Sequence, residues 1–364
     1  MKTKKYIFIY ICLAFIFSSC LKDEDYKLSQ IDYIPEQLND GWQIDVPLNV
    51  GMNPSVLDEI YSRLYSDTEF ELMKSLLIIK DGKLISEGYC VNKEDRDKIA
   101  NIKSATKSVT SLLFGIAKDL NYFVTIDQKI HEFIPEYFDD NASKKEISIH
   151  NVLTMSSGLK WSNTTDTWPL ITGKYDSSLE QVLSKDMEFS PGENFRYHDG
   201  NCQLISGIIT GSTGLSLEEF AENTLFSDLE INEHYWEKHP DGLNFGAVAL
   251  YLKPRDFAKI GLMVLQEGVY KDTRIVSSNW IDDATKTHIY ADDDHPYGYY
   301  WWIRPEFKAY TAIGHGGQYL YIIPEHQLLI VATSEPYALQ YDGFESLFEF
   351  EEKIIKPLIQ NLLF

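Results

Sequence analysis

The sequence predicts an α+β protein in which both ends of the chain form one antiparallel β-sheet flanked by helices. Strand-like patterns occur at residues 76–88 and again at 297–333, whereas residues 120–244 are typical of helix or loop. Strands at both ends, with helices between them, are most simply joined in one sheet with a mainly α-helical insertion beside it. At 364 residues, the chain is long enough to bury a large core.

The predicted domain covers residues 41–364. Its α/β part is expected at about 41–119 and 245–364, and its helical part at about 120–244. Residues 20–40 are polar and are predicted to form a tether that precedes the domain.

The first elements are predicted from periodicity and capping residues. Residues 76–88 have the pattern of a β-hairpin, with Asp81-Gly82 as its two-residue turn. Apolar residues recur at helical spacing over 104–119, which predicts a helix. In the insertion, Ser148 and Ser216 precede helical patterns and are the residue type that caps a helix start.

The C-terminal part is predicted to begin with a helix and to continue with strands. Lys253-Pro254 opens the helix, because proline is favoured in a first turn. Four β-rich segments follow, separated by turns, at 297–303, 310–313, 318–323 and 328–333. An amphipathic helix is predicted at about 343–363.

The charge balance is strongly acidic, with 33 Lys and Arg against 55 Asp and Glu and a formal net charge of -22. Nucleic-acid-binding proteins carry basic patches, so nucleic acid is not expected as a partner. The hydrophobic content of 44% is ordinary for a globular protein.

The N-terminus has the pattern of an export signal. Basic residues are followed by the apolar run Tyr6 to Phe17, which is too short to span a bilayer. Small residues directly before Cys20 resemble a bacterial lipobox, so residues 1–19 are predicted as a lipoprotein signal peptide and Cys20 as the lipidated residue. The following residues 21–25 resemble the signal that sends such lipoproteins to the cell surface. The expected location is the bacterial cell envelope, as an outer-membrane lipoprotein that faces either the surface or the periplasm.

The other cysteines and the histidines indicate no metal chemistry. Cys90 and Cys202 could pair in an oxidising compartment, or they could be two buried free thiols. His131-Glu132 lacks the further histidine of the zincin pattern. No metal site and no cofactor are expected.

The segment Ser104-Ala-Thr-Lys107 opens the predicted helix at 104–119 and is the first candidate for catalysis. A serine and a lysine three residues apart lie one turn apart on the same helix face, so the amine can reach the hydroxyl. The same spacing occurs at Ser19–Lys22, in the export segment, and at Ser157–Lys160, in a predicted loop. The structural alternative for Ser104 is an N-capping residue beside a solvated lysine.

Two further motifs supply candidate partners. Tyr197-His-Asp199-Gly-Asn201 precedes an apolar helix, and a tyrosine there can shuttle protons if nearby cations lower its pKa. Gly314-His315-Gly316-Gly317-Gln318 lies at a predicted strand, where glycines allow a ligand to approach the backbone. Each motif also has a plain structural interpretation, as a packed aromatic residue and as a lone histidine.

Together the three motifs resemble the serine β-lactamase and penicillin-binding-protein superfamily, in its class C-like branch. That branch includes esterases, D-aminopeptidases, D-alanyl-D-alanine carboxypeptidases and 6-aminohexanoate-dimer hydrolases. Ser104–Lys107 matches the Ser-x-x-Lys motif, Tyr197–Asp199 the Tyr-x-Asn position, and His315–Gly317 the Lys-Thr-Gly position. The resemblance covers about residues 45–360 and implies the β-lactamase/transpeptidase-like fold.

The resemblance implies roles for these residues. Ser104 would be the acylated nucleophile, Lys107 would accept its proton or hold the network, and Tyr197 would act as general base and then as proton donor. The backbone N–H groups of Ser104 and Gln318 would form the oxyanion hole. His315 would bind substrate or orient Tyr197, and Gly317, Asp199 and Asn201 would help to bind the substrate or the oxyanion.

The sequence departs from the family pattern at two positions. Asp199 stands where Asn or Ser is usual, and Asn201 lies two residues later, where a bulge would let it take that place. An added carboxylate would disfavour anionic substrates and raise the pKa of nearby cations. His315 replaces the lysine that recognises the substrate carboxylate in β-lactamases, so penicillin hydrolysis is expected to be poor.

The predicted function is hydrolysis of an ester, amide or peptide bond through a Ser104 acyl-enzyme, with a small molecule or peptide as substrate. D-Amino-acid peptides and small amides are among the candidate substrates. The alternative is a catalytically weak, penicillin-binding-like ligand-binding or sensor module that uses the same cleft. The sequence leaves the oligomeric state open.

Overall fold

The computed structural model describes residues 26–138, 142–338 and 343–363. The predicted signal peptide and the predicted lipidation at Cys20 lie outside these residues. Within the three described ranges, no helix is both long and apolar enough to cross a membrane.

The strands of the described chain form one large sheet, one small sheet and a hairpin. Their bounds are β1 Met73–Lys80, β2 Lys83–Tyr89, β3 Ala100–Asn101, β4 Tyr235–Trp236, β5 Leu250–Leu252, β6 Val269–Tyr270, β7 Thr273–Arg274, β8 Ile289–Tyr290, β9 Pro296–Tyr297, β10 Trp302–Arg304, β11 Ala309–Gly314, β12 Gln318–Ile323 and β13 Leu328–Ser334. The large sheet has the order β2-β1-β13-β12-β11-β10-β9-β8 and is antiparallel throughout, so the two ends of the chain meet where β1 pairs with β13. This confirms the predicted fold class.

The helices lie on both faces of this sheet. Their bounds are α1 Pro54–Leu64, α2 Thr106–Asp119, α3 Ala142–Lys145, α4 Ile149–Leu153, α5 Trp168–Ile171, α6 Ser178–Leu183, α7 Asp199–Thr213, α8 Leu217–Ala221, α9 Pro254–Leu265, α10 Ser278–Thr285, α11 Gly343–Phe350 and α12 Lys356–Gln360. The predicted helical part at residues 120–244 contains α3 to α8 together with the short strand β4.

Successive side chains of a strand point to opposite faces of the sheet, so the large sheet has a hydrophobic core on each face. In β1, Leu77 and Ile79 face the larger core, which also contains α2, α7 and α9. Leu76 and Ile78 face the opposite core, which contains α1 and the C-terminal helices. Every residue of α2 from Thr106 to Ala117 is buried, so the helix that follows Ser104 is fixed on all sides.

Most predicted elements have the expected places. The hairpin turn is Asp81-Gly82, whose φ values of 51° and 77° suit a two-residue turn. Pro254 is the first residue of α9, as predicted. The predicted strand at 297–303 is wrong, because a turn with a Gly298 N–H to Trp301 carbonyl bond and a φ of 64° at Tyr300 divides it into β9 and β10.

The predicted polar tether at residues 20–40 also needs correction, because its described part is attached to the domain. Lys27 is 3% exposed and donates to the carbonyls of Leu64, Phe70 and Met73 at 3.2, 2.9 and 2.6 Å. Farther along, Arg255 donates to Asp40 at 2.7 Å. Buried backbone carbonyls require donors, so this segment is part of the fold.

Cys90 and Cys202 are both buried free thiols. Of the two alternatives that the sequence left open, the structure therefore supports the unpaired one.

Candidate active site

Ser104 and Lys107 lie at the start of the buried helix α2. Ser104 belongs to a 3₁₀ turn, Lys103–Ala105, that continues directly into α2. The Lys107 Nζ donates to the Ser104 Oγ at 2.9 Å, as the three-residue spacing predicted. The turn is anchored because the Ile102 N–H donates to the Leu250 carbonyl of β5 at 2.9 Å.

The Lys107 ammonium is enclosed by protein. Its side chain is 1% exposed, and its Nζ lies 2.8 Å from the Asp199 Oδ1 and 3.1 Å from the Ala247 carbonyl. Gly246 lets the chain before Ala247 run close to α7. A larger residue would not fit there, because a Cβ at position 246 would lie 2.1 Å from the Cys202 carbonyl of α7. The backbone beside Gly246 can therefore pass close to α7 and present a carbonyl to Lys107.

Asp199 is the first residue of α7, where the helix dipole favours a negative charge. Thr167 donates to its second oxygen, Oδ2, at 2.6 Å. Burial alone would raise the pKa of Asp199, but Lys107 and the hydrogen bond from Thr167 lower it below the ordinary value. Burial likewise opposes the charge of Lys107, but the Asp199 carboxylate together with Tyr197 and Cys202 outweighs burial and raises the pKa of Lys107.

Tyr197 completes the group around the serine. The Lys107 Nζ lies 4.8 Å from the centre of the Tyr197 ring, and the Tyr197 hydroxyl interacts with both Ser104 and Lys107. Burial raises the pKa of Tyr197, and Asp199 raises it further, whereas Lys107 acts in the opposite direction. The net shift is upward, so Tyr197 is a phenol at neutral pH.

Asp199, and not Asn201, occupies the position beside Lys107. His198 caps α7 by accepting the Asn201 N–H on its Nδ1 at 3.2 Å, so the helix begins without a bulge. Two helical residues turn the chain by about 200°, which directs Asn201 away from Lys107. The Asn201 Nδ2 lies instead 4.0 Å from the Met155 Sδ and the side chain is buried, so Asn201 does not take the Tyr-x-Asn position that a bulge would have given it.

The third motif forms the turn between β11 and β12. Gly316 and Gly317 have φ values of 86° and 98°, and a Cβ at Gly316 would lie 2.4 Å from the Glu335 carbonyl. Exposed His315 lies in this turn with its Nε2 2.8 Å from the Ala338 carbonyl.

The Gln318 side chain has a structural role. It is buried and hydrogen-bonded to both backbone groups of Ser334, donating to the carbonyl at 2.9 Å and accepting from the N–H at 3.1 Å. Only the backbone of Gln318 is therefore suited to the predicted oxyanion role.

A cavity of about 480 Å³ opens beside Ser104 and His315. Aromatic side chains form much of its wall, and Trp302 is central among them: its ring lies 6.0 Å from that of Tyr197 and 5.2 Å from that of Phe344. Among the described lining residues, Asp292 is the single carboxylate. The arrangement can hold an apolar group next to a hydroxyl nucleophile.

Sequence reasoning did not identify Thr167, Trp302 or Phe344. They come from three separate segments, and no motif marks them. Within the described ranges, no group of three or more His, Cys, Asp or Glu side chains is placed to hold a metal ion.

Comparison with known proteins relates this geometry to one family. The profile of the β-lactamase family matches residues 66–338. The 6-aminohexanoate-dimer hydrolase of Paenarthrobacter ureafaciens is 24% identical over 310 residues, which are 80% of this chain and 73% of that protein.

Two solved structures share the fold. A family VIII carboxylesterase has a TM-score of 0.67 at 14% identity, over 90% of this chain and 100% of that one. A penicillin-binding protein homologue from Caulobacter crescentus has a TM-score of 0.68 at 14% identity, over 84% and 97%. The profile match covers most of the chain and the fold agrees with it; the chain therefore belongs to the β-lactamase family of serine hydrolases.

Proposed function

We propose that this protein is a serine hydrolase that cleaves an ester, amide or peptide bond through an acyl-enzyme on Ser104. The observation that carries the proposal is the Ser104 hydroxyl, which lies 2.9 Å from the Lys107 amine, interacts with Tyr197 and opens into the aromatic cavity. A nucleophile, a proton acceptor and a binding space meet at one point.

The charges of the group decide which residue can take the serine proton. Lys107 is an ammonium and Asp199 a carboxylate, because each stabilises the charge of the other. Lys107 therefore donates to the Ser104 Oγ and positions it rather than accepting its proton. Tyr197 becomes the base when it loses its own proton, and the phenolate is stabilised by Lys107.

The reaction then follows in two steps. The Tyr197 phenolate accepts the Ser104 proton as the Oγ attacks the carbonyl carbon, and the phenol returns that proton to the leaving group. The backbone N–H groups of Ser104 and Gln318 are assigned to the oxyanion. In the second step, Tyr197 activates a water molecule that hydrolyses the ester to Ser104.

The substrate is proposed to be an ester, a small amide or a peptide, including D-amino-acid peptides, rather than a penicillin. The cavity wall is mainly aromatic and its single described carboxylate is Asp292, which would repel an anion in that part of the site. His315 stands at the third motif and is a weaker partner for a carboxylate than lysine would be.

One observation favours the alternative of a weakly catalytic ligand-binding or sensor module. The Lys107–Asp199 pair keeps Lys107 protonated, and Tyr197 is also protonated at neutral pH. Such a site could become acylated slowly and release the acyl group more slowly still. The two functions differ in turnover, because a sensor would hold the acyl group and a hydrolase would release it.

Labelling of the purified chain, residues 21–364, with a fluorophosphonate and with a labelled penicillin tests the proposal. Mass spectrometry should locate the phosphonate on Ser104, and the adduct should disappear in Ser104→Ala. Ser157→Ala is the matched control, because Ser157 precedes Lys160 by the same spacing but neither residue lines the cavity. The absence of any adduct, or an adduct that survives Ser104→Ala, would overturn the proposal.

We also propose that the chain is a lipoprotein of the bacterial cell envelope, anchored to the membrane through Cys20. The support is the sequence pattern before Cys20, in which a basic start, an apolar run and two small residues precede the cysteine. Membrane fractionation tests this, since Cys20→Ser should release the protein from the membrane. Unchanged fractionation would contradict the anchor.

A further inference from the structure

Asp292 is a carboxylate on the wall of the cavity beside Ser104. It lies in the loop between β8 and β9, which is closed by a hydrogen bond of 2.9 Å from the Ala291 N–H to the His295 carbonyl. The Asp292 Oδ1 accepts the backbone N–H groups of Asp294 and His295 at 3.0 and 3.1 Å. These bonds hold the carboxylate against its own loop, as is usual for an aspartate in a turn.

The carboxylate is held next to the aromatic part of the cavity wall. The His295 Nδ1 donates to the Asp292 Oδ1 at 2.7 Å. The centre of the His295 ring lies 4.1 Å from that of Phe344 and 6.5 Å from that of Trp302. Asp292, Phe344 and Trp302 all line the cavity, so a bound group can contact the carboxylate and the aromatic rings together.

The negative charge of Asp292 is not balanced within the cavity. Its three hydrogen bonds go to Oδ1, and no described residue donates to Oδ2. None of the described lining residues is a lysine or an arginine. Lys107, which reaches Ser104, is already paired with Asp199 at 2.8 Å. While His295 is uncharged, a cationic ligand would therefore balance the one remaining charge.

The aromatic surroundings determine which kind of cation fits. Aromatic rings attract cations to their faces, and they are the usual surroundings of quaternary ammonium ligands. A primary ammonium has three N–H donors and would lose hydrogen bonds to water against such rings. A quaternary ammonium carries methyl groups instead, so it can contact the rings and stay near the carboxylate without that loss.

We propose that the cavity binds a quaternary ammonium group of the substrate through Asp292 and Trp302, so that the hydrolase prefers esters that carry such a cation. This deepens the proposed function and rests on it for the reaction, although binding of the cation requires no catalysis. It agrees with the expectation that penicillins are poor substrates, because a carboxylate that attracts a cation repels an anion.

Ligand-detected NMR titration of the Ser104→Ala protein with choline and with 3,3-dimethylbutan-1-ol tests this site without catalysis. The two probes have the same shape and differ in charge. The titration is made at about pH 8, where imidazole groups are uncharged. Choline should bind about tenfold more tightly, as expected for a cation on an aromatic face beside a carboxylate whose side chain is 57% exposed. In the wild type, kcat/KM should likewise be about tenfold higher for acetylcholine than for 3,3-dimethylbutyl acetate.

Substitutions in the Ser104→Ala background separate the two contacts. Asp292→Asn should reduce the choline preference about threefold or more, whereas Asp292→Glu should keep it. Trp302→Leu should weaken choline binding about threefold or more and leave the binding of 3,3-dimethylbutan-1-ol nearly unchanged. Leucine provides an apolar surface without an aromatic face, so the neutral probe also shows that the cavity is still formed.

Asp293→Asn, in the same background, is the matched control because Asp293 is an exposed neighbour in the same loop that does not line the cavity. It should keep the choline preference. Equal binding of the two probes, a preference that survives Asp292→Asn, or an equal loss in Asp293→Asn would overturn the cation site. A choline preference combined with no fluorophosphonate adduct on Ser104 would instead support the cation site and overturn the hydrolase.

Discussion

Lys107 and Asp199 form an ion pair in which the Nζ and Oδ1 are 2.8 Å apart and the side chains are 1% and 8% exposed. The pair is neutral as a unit, so the charge next to Ser104 is smaller than that of a lone ammonium. The pair also affects the pKa of Tyr197. Lys107 stabilises the Tyr197 phenolate and lowers this pKa, whereas the Asp199 carboxylate raises it.

Asp199→Asn should move the pH dependence of catalysis to lower pH. The Asp199 carboxylate itself raises the pKa of Tyr197, so its removal should lower that pKa by about one unit or more. If the Tyr197 phenolate is the base, kcat/KM rises with pH, and the rising limb moves down with that pKa. At pH 7 the variant should hydrolyse 4-nitrophenyl acetate about tenfold faster than the wild type.

Asp256→Asn is the matched control for this prediction. Asp256 is a buried aspartate that pairs with Lys259 at 2.8 Å in α9, away from Ser104. The Asp256→Asn substitution should leave the pH dependence of kcat/KM unchanged. A profile of Asp199→Asn that is unchanged or displaced upward would show that Tyr197 is not the base.

The same substitution should make the protein less stable over a defined pH range. Asp199→Asn leaves the buried Lys107 without an anion and should lower the free energy of unfolding by about 3 kcal/mol. The pKa of Asp199 is depressed in the fold, so its contribution is complete above its unfolded pKa of about 3.9 and is lost as pH falls through the lower folded value. The pKa of Lys107 is raised, so its contribution is complete below its unfolded pKa of about 10.4.

Urea unfolding at several pH values measures this difference. The gap between wild type and Asp199→Asn should be constant between about pH 5 and pH 9 and should shrink below about pH 4. A gap that grows on acidification would contradict the ion pair as the source of the stability.

Lys27→Met should destabilise the domain, although Lys27 is far from Ser104 in sequence. The substitution leaves the carbonyls of Leu64, Phe70 and Met73 without their shared donor, at an expected cost of about 2–3 kcal/mol. Thermal unfolding measures the loss. Lys93→Met is the control because its ion pair with Asp32 is exposed, and an equal effect in both variants would refute a special role for Lys27.

The fold and the centre of the site could be predicted because they depend on local patterns. The contact between Ser104 and Lys107 follows from helical spacing, and the hairpin turn at Asp81-Gly82 follows from residue type. The break at Tyr300 could not be predicted, because the run at 297–303 is rich in aromatic residues that favour strands and the turn is stabilised by packing.

The surroundings of the serine depend on tertiary contacts that no local pattern contains. Thr167 reaches Asp199 from a separate segment, and its sequence neighbourhood does not mark it. The choice between Asp199 and Asn201 depended on where α7 begins, which the His198 cap determines. The attachment of Lys27 was missed because polar composition alone predicted a tether.

Removal of the aromatic wall should reduce catalysis most for substrates with large apolar groups. Trp302 lies between Tyr197 and Phe344 in the cavity, so Trp302→Ala removes contact area that a long or aromatic acyl group would bury. We expect kcat/KM for 4-nitrophenyl phenylacetate to fall about tenfold or more, while that for 4-nitrophenyl acetate falls much less, because the acetyl group is too small to reach the ring. Tyr290→Ala is the control, since Tyr290 is 58% exposed and does not line the cavity. An equal loss for both esters in Trp302→Ala would indicate that Trp302 supports Tyr197 instead of binding the substrate, because a displaced base slows every ester alike.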